Sequence, residues 1–313
     1  MKKIEISVVI PVYGCCESLY LLYDRLKNTL DSITENFEII MVNDASPDKS
    51  WNVIKELSEE DSRVKGIKLS RNFGQHPAIK AGLTHTKGDK VVIMDCDLQD
   101  QPEEILKLNK KMLEGYDIVV AKRTKRKDGF LKKLSSKLFY LAFNYLSGQK
   151  HDSSVANFGI FKRKIVNLYL EKSGQNKFFP FFVNSVGFEK TEIEIEHNYR
   201  DEGKTSYNLF KLINLSISVI TAFSNKPLML FMKFGCFLSV ISFFMMIYIF
   251  SMYLIYGIDV SGWASTIITI IFFNGVILMN LGVVGLYIGN VYSETKNERT
   301  FYIEEVTNLD TED

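Results

Sequence analysis

Val91-Val92-Ile93-Met94-Asp95-Cys96-Asp97-Leu98-Gln99 joins an apolar run to two carboxylates and an amide at alternate positions. The four apolar residues read as a strand buried on both faces of a parallel sheet, and open α/β sheets take their ligands beyond the carboxyl ends of such strands. Oxygen ligands in that place suit Mg²⁺ or Mn²⁺, hard cations that commonly bridge a protein to a diphosphate. A lone D-x-D is also an ordinary polar loop after a strand, so the assignment depends on what surrounds it.

Upstream and downstream, short apolar runs alternate with amphipathic stretches, the pattern of a sheet covered by helices. Strands are predicted at Ile6–Val12, Phe37–Val42, Val64–Leu69, Val91–Met94 and Ile118–Ala121, with helices at Ser18–Leu30, Ser50–Ser58, Ala78–Thr86 and Glu103–Leu113. The fold class read from this is a doubly wound α/β domain. Cys15, Cys16, Cys96 and Cys236 lack paired metal-ligand spacing and are expected to be reduced and structural. His76 is expected at the surface, without chemistry.

The last third differs in kind. Phe234 to Tyr256 and Val260 to Ser293 contain no charged residue, so each is predicted to cross a hydrocarbon layer as a helix. Lys226 and Lys233 precede the first run, Lys296 and Arg299 follow the second, and Gly257-Ile258-Asp259 between them has no basic residue. Both termini and the N-terminal domain are therefore expected on the cytoplasmic side. Residues 1–206 are predicted as the catalytic domain, 207–227 as an interfacial helix region, 228–292 as a transmembrane hairpin and 293–313 as a cytoplasmic tail. The net charge of +1 gives no overall basic excess, and no nucleic acid is expected as a partner.

Several ordered motifs resemble the membrane-anchored family 2 glycosyltransferases that make polyprenyl-phosphate sugars, including dolichol-phosphate mannose synthases and their bacterial relatives. They are Val8-Val9-Ile10-Pro11-Val12-Tyr13, Val42 to Asp48, Ser70-Arg71-Asn72-Phe73-Gly74-Gln75-His76-Pro77-Ala78, Asp95 to Glu103, and Tyr199 to Tyr207. The resemblance spans nearly the whole chain. It implies a GT-A nucleotide-sugar-binding fold, a nucleotide-sugar donor, a polyprenyl-phosphate acceptor, a bilayer around the paired helices and a bacterial plasma membrane.

On this resemblance Asp97 and Gln99 are direct metal ligands, with Asp95 shared between the metal and the donor ribose. The cation neutralises charge on the departing nucleoside diphosphate. Asp44 stands at a strand end where similar enzymes read the base, although a helix-capping or turn role fits that place equally. Pro11, Tyr13 and Glu17 belong to the same nucleotide edge, where Cys15 replaces a frequent acidic residue. Arg71 and Asn72 lie on a turn that Gly74 lets bend, before a helix whose N-terminal amides can face an anion.

Acceptor recognition is assigned to cations. Ala121 to Lys137 holds eight Lys or Arg residues against Asp128 alone, which suits anionic lipid or phosphate but also an ordinary solvated helix face. Arg123, Lys132 and Ser136 approximate acceptor-phosphate positions of similar enzymes. Arg200 and Lys204, around Gly203, are candidates to clamp either the donor diphosphate or the lipid phosphate, with Arg200 also given a catalytic role; a plain juxtamembrane basic patch competes.

Asn157 stands near the position where many alcohol-glycosylating relatives carry an acidic base. An amide cannot remove a proton, whereas a lipid phosphate is already anionic and needs no base. Inverting transfer to polyprenyl phosphate is therefore the leading expectation. A polysaccharide synthase acting on a glycan hydroxyl and a non-catalytic scaffold are the alternatives. The first usually carries Gln-x-x-Arg-Trp, and the chain's tryptophans are Trp51 and Trp263. Gly275, Gly282, Gly285 and Gly289 suit close helix contacts, either within one chain or in a homo-oligomer.

Overall fold

The structure is a computed structural model that describes residues 3–123, 145–146, 155–172, 179–195, 220, 224, 226–256, 262–295 and 300–309. The chain divides into two compact units, one formed by Met1–Lys133, His151–Ser206 and Glu298–Asp313, the other by Leu134–Lys150 and Tyr207–Asn297.

In the first unit the chain runs through β1 (Ile6–Val12), α1 (Leu19–Asp31), β2 (Phe37–Asn43), α2 (Ser50–Glu60), β3 (Val64–Leu69), α3 (Gln75–Thr84), β4 (Lys90–Ile93), α4 (Glu104–Leu113) and β5 (Ile118–Arg123). It continues through β6 (Val155–Lys162), α5 (Arg163–Lys172), α6 (Phe179–Ser185), β7 (Lys190–Ile195) and finally β8 (Ile303–Thr307). The strands form one sheet in the order β7-β5-β6-β4-β1-β2-β3-β8. The block β3-β2-β1-β4 is parallel throughout, as the doubly wound pattern predicts. β6 runs antiparallel to β4 and β5, and β8 runs antiparallel to β3, so the sheet as a whole is mixed.

β1 is buried along its entire length because both faces of the sheet are covered. Val8, Ile10 and Val12 pack with Leu19, Leu22 and Leu26 of α1, Ile54 of α2, and Ile105 and Leu108 of α4. Val9 points the other way, as strand alternation requires, and joins Ile79 and Leu83 of α3. Helix α3 lies close enough that a Cβ on Gly82 would sit 2.4 Å from Val9 Cγ1. It begins at Gln75 rather than at the predicted Ala78, because Pro77 is tolerated in a first helical turn.

At the amino ends of the strands the polar groups hold one another. Glu38, 1% exposed, accepts from Ser7 Oγ at 2.5 Å, Lys87 N at 2.6 Å and Lys65 Nζ at 2.6 Å. A buried carboxylate with three donors is structurally satisfied, which directs the search for chemistry to the carboxyl ends.

Arg63 links Asp31 of α1 (3.0 Å) to Asp61 (2.8 Å), and Tyr23 donates to Asp61 at 2.9 Å. Burial pushes the Asp61 carboxyl up, but bonds from the Arg63 side chain and backbone and from Tyr23 outweigh it and hold the group at about 2. A depressed acid stabilises the fold above its unfolded value, and that stabilisation is lost as pH falls from about 4 towards about 2. Acid titration of unfolding free energy is expected to lose about 1–2 kcal/mol from this group across that window, after solvent screening. Asp61→Asn should remove that component; an unchanged acid limb would show that the network carries no stability.

One expectation is corrected here. The residues assigned to a separate cytoplasmic tail include β8, which returns to the catalytic sheet: Gly66 N donates to Thr307 Oγ1 at 3.0 Å, Trp51 Nε1 to Glu305 at 2.8 Å, and Ser70 N to Tyr302 O at 3.0 Å. The edge of β3 needs a partner for its backbone groups, and a five-residue strand far along the chain supplies it.

The second unit holds α7 (Lys226–Tyr256) and α8 (Trp263–Thr295), of 31 and 33 residues. At 1.5 Å per residue they are about 46 and 50 Å long. Large apolar side chains stand exposed along both, among them Phe237, Phe244, Tyr248, Leu254, Leu278 and Leu286. Among the described residues, no helix is long and apolar enough to cross a membrane; within α7 the run Phe234–Tyr256, which holds no charged residue, is helical throughout. The predicted interfacial region 207–227 lies almost wholly outside the described residues.

Candidate active site

Four parallel strands end side by side, and the loops that follow them carry the candidate donor residues. Pro11 is the penultimate residue of β1 and is buried; Tyr13 and Glu17, beyond the strand, are exposed. Asp44 follows β2, Arg71 and Asn72 follow β3, and Asp95, Asp97 and Gln99 follow β4. The sheet order β3-β2-β1-β4 thus brings to one sheet end residues spread over about 90 positions of sequence.

The loop after β3 is held at several points. Asp44 is 3% exposed and accepts Phe73 N on Oδ1 at 2.7 Å and Gly74 N on Oδ2 at 2.8 Å. Burial raises its carboxyl above the ordinary range, with the two amide bonds opposing that rise. Both of its oxygens therefore already serve the loop, a latch role that the expectation of base reading did not include. Gly74 has φ +97°, a backbone region that other residues avoid. Arg71 lies 4.6 Å over the Phe73 ring, exposed at the loop surface.

The loop after β2 is fastened to the loop after β1. Gly14 N donates to Ser46 Oγ at 2.8 Å, and Cys16 N to Asp48 Oδ2 at 3.1 Å. Asp48 also accepts from Ser46 Oγ at 2.7 Å and Ser50 N at 3.0 Å; burial works against these bonds, but together they lower its pKa.

The loop after β4 is tied to both neighbours. Gln75 Nε2 donates to Asp95 Oδ1 at 2.6 Å, and Ser18 Oγ donates to Cys96 O at 2.8 Å. Asp97 Oδ1 accepts Gln99 N at 3.2 Å, while Leu98 adopts φ +58°. A non-glycine residue in that region costs roughly 1–2 kcal/mol, and such backbone cost gathers at functional sites. Asp95, Asp97 and Gln99 are all partly exposed.

The cysteines depart from expectation. Cys15 and Cys96 are disulfide-bonded, with Cα atoms 6.2 Å apart and a sequence separation of 81. Each lies three residues beyond its strand, and β1 and β4 are neighbours, so sheet pairing creates a proximity that sequence spacing hides. Cys16 is free. His76 also differs from a surface histidine: its Nδ1 is shut off from solvent, and burial pushes the imidazole down to about 4, leaving it neutral at pH 7.

Among the described residues no cluster of three or more His, Cys, Asp or Glu side chains forms a metal cage. Two carboxylates and an amide are instead the donor set of an ion completed by substrate phosphates and water, the usual coordination of Mg²⁺. Asp95, Asp97 and Gln99 fit that role in number and ligand type.

Arg123 ends β5, and its side chain is outside the described set; Lys132, Ser136, Arg200 and Lys204 lie wholly outside it. Asn157 sits in β6, partly buried. The residues that the sequence did not single out are Gln75, Ser46, Asp48 and Tyr302. Gln75 lay within a quoted motif, but its role becomes visible only when Asp95 is placed beside it.

Residues 7–170 match the family model described as glycosyl transferase family 2. An uncharacterised glycosyltransferase of Bacillus subtilis, YkcC, is 38% identical over 303 residues, covering 96% of this chain and 94% of that protein. The undecaprenyl-phosphate 4-deoxy-4-formamido-L-arabinose transferase of Aeromonas hydrophila is 34% identical, covering 96% and 93%. The bactoprenol glucosyl transferase of Shigella phage SfX is 34% identical, covering 96% and 98%.

Proposed function

The chain belongs to glycosyl transferase family 2, and from that premise we propose that it transfers a sugar from a nucleotide-sugar to polyprenyl phosphate, giving a lipid-phosphate-linked monosaccharide. The observation that carries this reading is the convergence of Asp44, the 70–75 loop and the Asp95–Gln99 segment at one end of a parallel sheet. Two relatives of equal identity carry names with different sugars but a polyprenyl acceptor in common, which supports the acceptor class and leaves the sugar open.

Asp95, Asp97 and Gln99 would hold Mg²⁺ or Mn²⁺, which supplies charge neutralisation for the departing diphosphate. The loops after β1, β2 and β3 orient the nucleotide. The acceptor phosphate attacks the anomeric carbon from the side opposite the leaving group, with inversion. An anionic phosphate oxygen needs no side-chain base, which agrees with an amide at Asn157. Arg123, Lys132, Ser136, Arg200 and Lys204 are the proposed contacts to lipid or donor phosphate.

Helices α7 and α8 are proposed to cross the bilayer, with the catalytic unit and both termini cytoplasmic. Their length exceeds the ~30 Å hydrocarbon layer, and large apolar side chains exposed along a helix suit lipid better than water.

Purified full-length protein in detergent, given undecaprenyl phosphate, Mg²⁺ or Mn²⁺ and a panel of nucleotide sugars, is expected to yield one new lipid by mass spectrometry, with a single phosphate between prenyl chain and sugar. A lipid diphosphate, a growing glycan, or no metal-dependent product from any donor would overturn the reading.

A further inference from the structure

We propose that Gln75 is a positioning residue for Asp95, fixing the carboxylate at the donor and cation site through its side-chain amide. This rests on the reading of Asp95 as part of that site. The Gln75 Nε2 to Asp95 Oδ1 bond is 2.6 Å long and joins the start of α3 to the loop after β4, which meet only in the folded sheet. Being neutral, the amide orients the carboxylate while leaving its negative charge in place for a cation. A lysine there would donate equally well but would cancel the charge that the ion requires.

Gln75 is itself firmly placed. It is the first residue of α3 and follows Gly74, whose N–H and that of Phe73 are both held by Asp44. On its other side the loop is braced by the returning C-terminal segment: Ser70 N donates to Tyr302 O at 3.0 Å, and the Phe73 and Tyr302 rings lie 6.2 Å apart. Asp44 and Tyr302 hold the loop, the loop holds Gln75, and Gln75 holds one oxygen of Asp95. With the backbone before it held in this way and its amide already on Asp95, Gln75 needs little further ordering when an ion arrives. Partners that orient a ligating carboxylate commonly govern ion affinity by 10–100-fold.

The test is Mn²⁺ binding by full-length protein in detergent with saturating UDP or GDP, followed by electron paramagnetic resonance of the free ion, with thermal unfolding in parallel. Gln75→Ala is expected to weaken Mn²⁺ binding about 10-fold, and Gln75→Asn, the same amide one carbon shorter, is expected to fail to restore it. Pro77→Ala alters the same first turn of α3 and should leave Mn²⁺ affinity unchanged. Wild-type affinity in Gln75→Ala would overturn the proposal while leaving the metal site standing. An equal loss in Pro77→Ala would assign the effect to the helix start and would also overturn it. Absence of nucleotide-dependent Mn²⁺ binding in the wild type would overturn the metal reading and the proposal together.

Discussion

Asp97→Ala is expected to lower sugar transfer by at least about a hundredfold while the protein still folds. The stability cost is small because Asp97 is partly exposed and its one described bond accepts Gln99 N at 3.2 Å; a bond of that kind contributes about 1 kcal/mol. Thermal unfolding should therefore shift by only about 2–4 °C. On the proposed role the catalytic cost is large, because a metal ligand would stabilise charge on the leaving diphosphate, and removing one such electrostatic contact commonly costs 10²–10³ in rate. Asp97→Asn separates the two effects. It can keep an oxygen for the Gln99 amide but loses the negative charge, so it should unfold like the wild type and turn over like the alanine variant. Full metal-dependent activity in either variant would remove Asp97 from the site.

Asp44→Asn should act mainly through the loop. An amide offers one oxygen for two backbone donors, so Phe73 N or Gly74 N would face an NH₂ group inside a site that is 3% exposed. An unsatisfied buried N–H costs about 1–3 kcal/mol, and the lost bond was to a charged acceptor. A total of about 2–4 kcal/mol corresponds to a fall of roughly 5–15 °C in unfolding temperature. With the loop loosened, KM for every nucleotide-sugar should rise together, by about tenfold or more. The two roles considered for Asp44 predict different outcomes. A base reader would change the preference between uracil and guanine nucleotides at constant stability; a latch would weaken all donors and lower the melting temperature. An unchanged melting point with altered base preference would return Asp44 to the first role.

Much of the catalytic sheet was legible because its central strands are continuous apolar runs with helices between them. Ile6–Val12 and Val64–Leu69 coincide with their predicted bounds, and the parallel block follows from the alternation. The antiparallel members were not legible. β6 has no period that reveals its direction, and β8 lies beyond two long apolar helices, where its charged Ile303-Glu304-Glu305 resembles a solvated tail. That the motif residues after β1, β2, β3 and β4 stand at strand ends was legible because each follows an apolar run. What was missed are relations between loops: the Cys15–Cys96 bond, the Asp44 latch and the Gln75 contact each join segments at least 20 residues apart. Strand order sets those meetings, and a linear motif carries no record of it.

Because β8 and β1 belong to a single sheet, the chain must come back to the side it left, so any bilayer passages made by the two long helices are even in number. There is also a consequence in time. While the protein is being synthesised, the outer edge of β3 remains without its neighbour until residue 307 has emerged from the ribosome, after both helices have been made. An interrupted product would bear an open strand edge, a ready surface for aggregation or proteolysis.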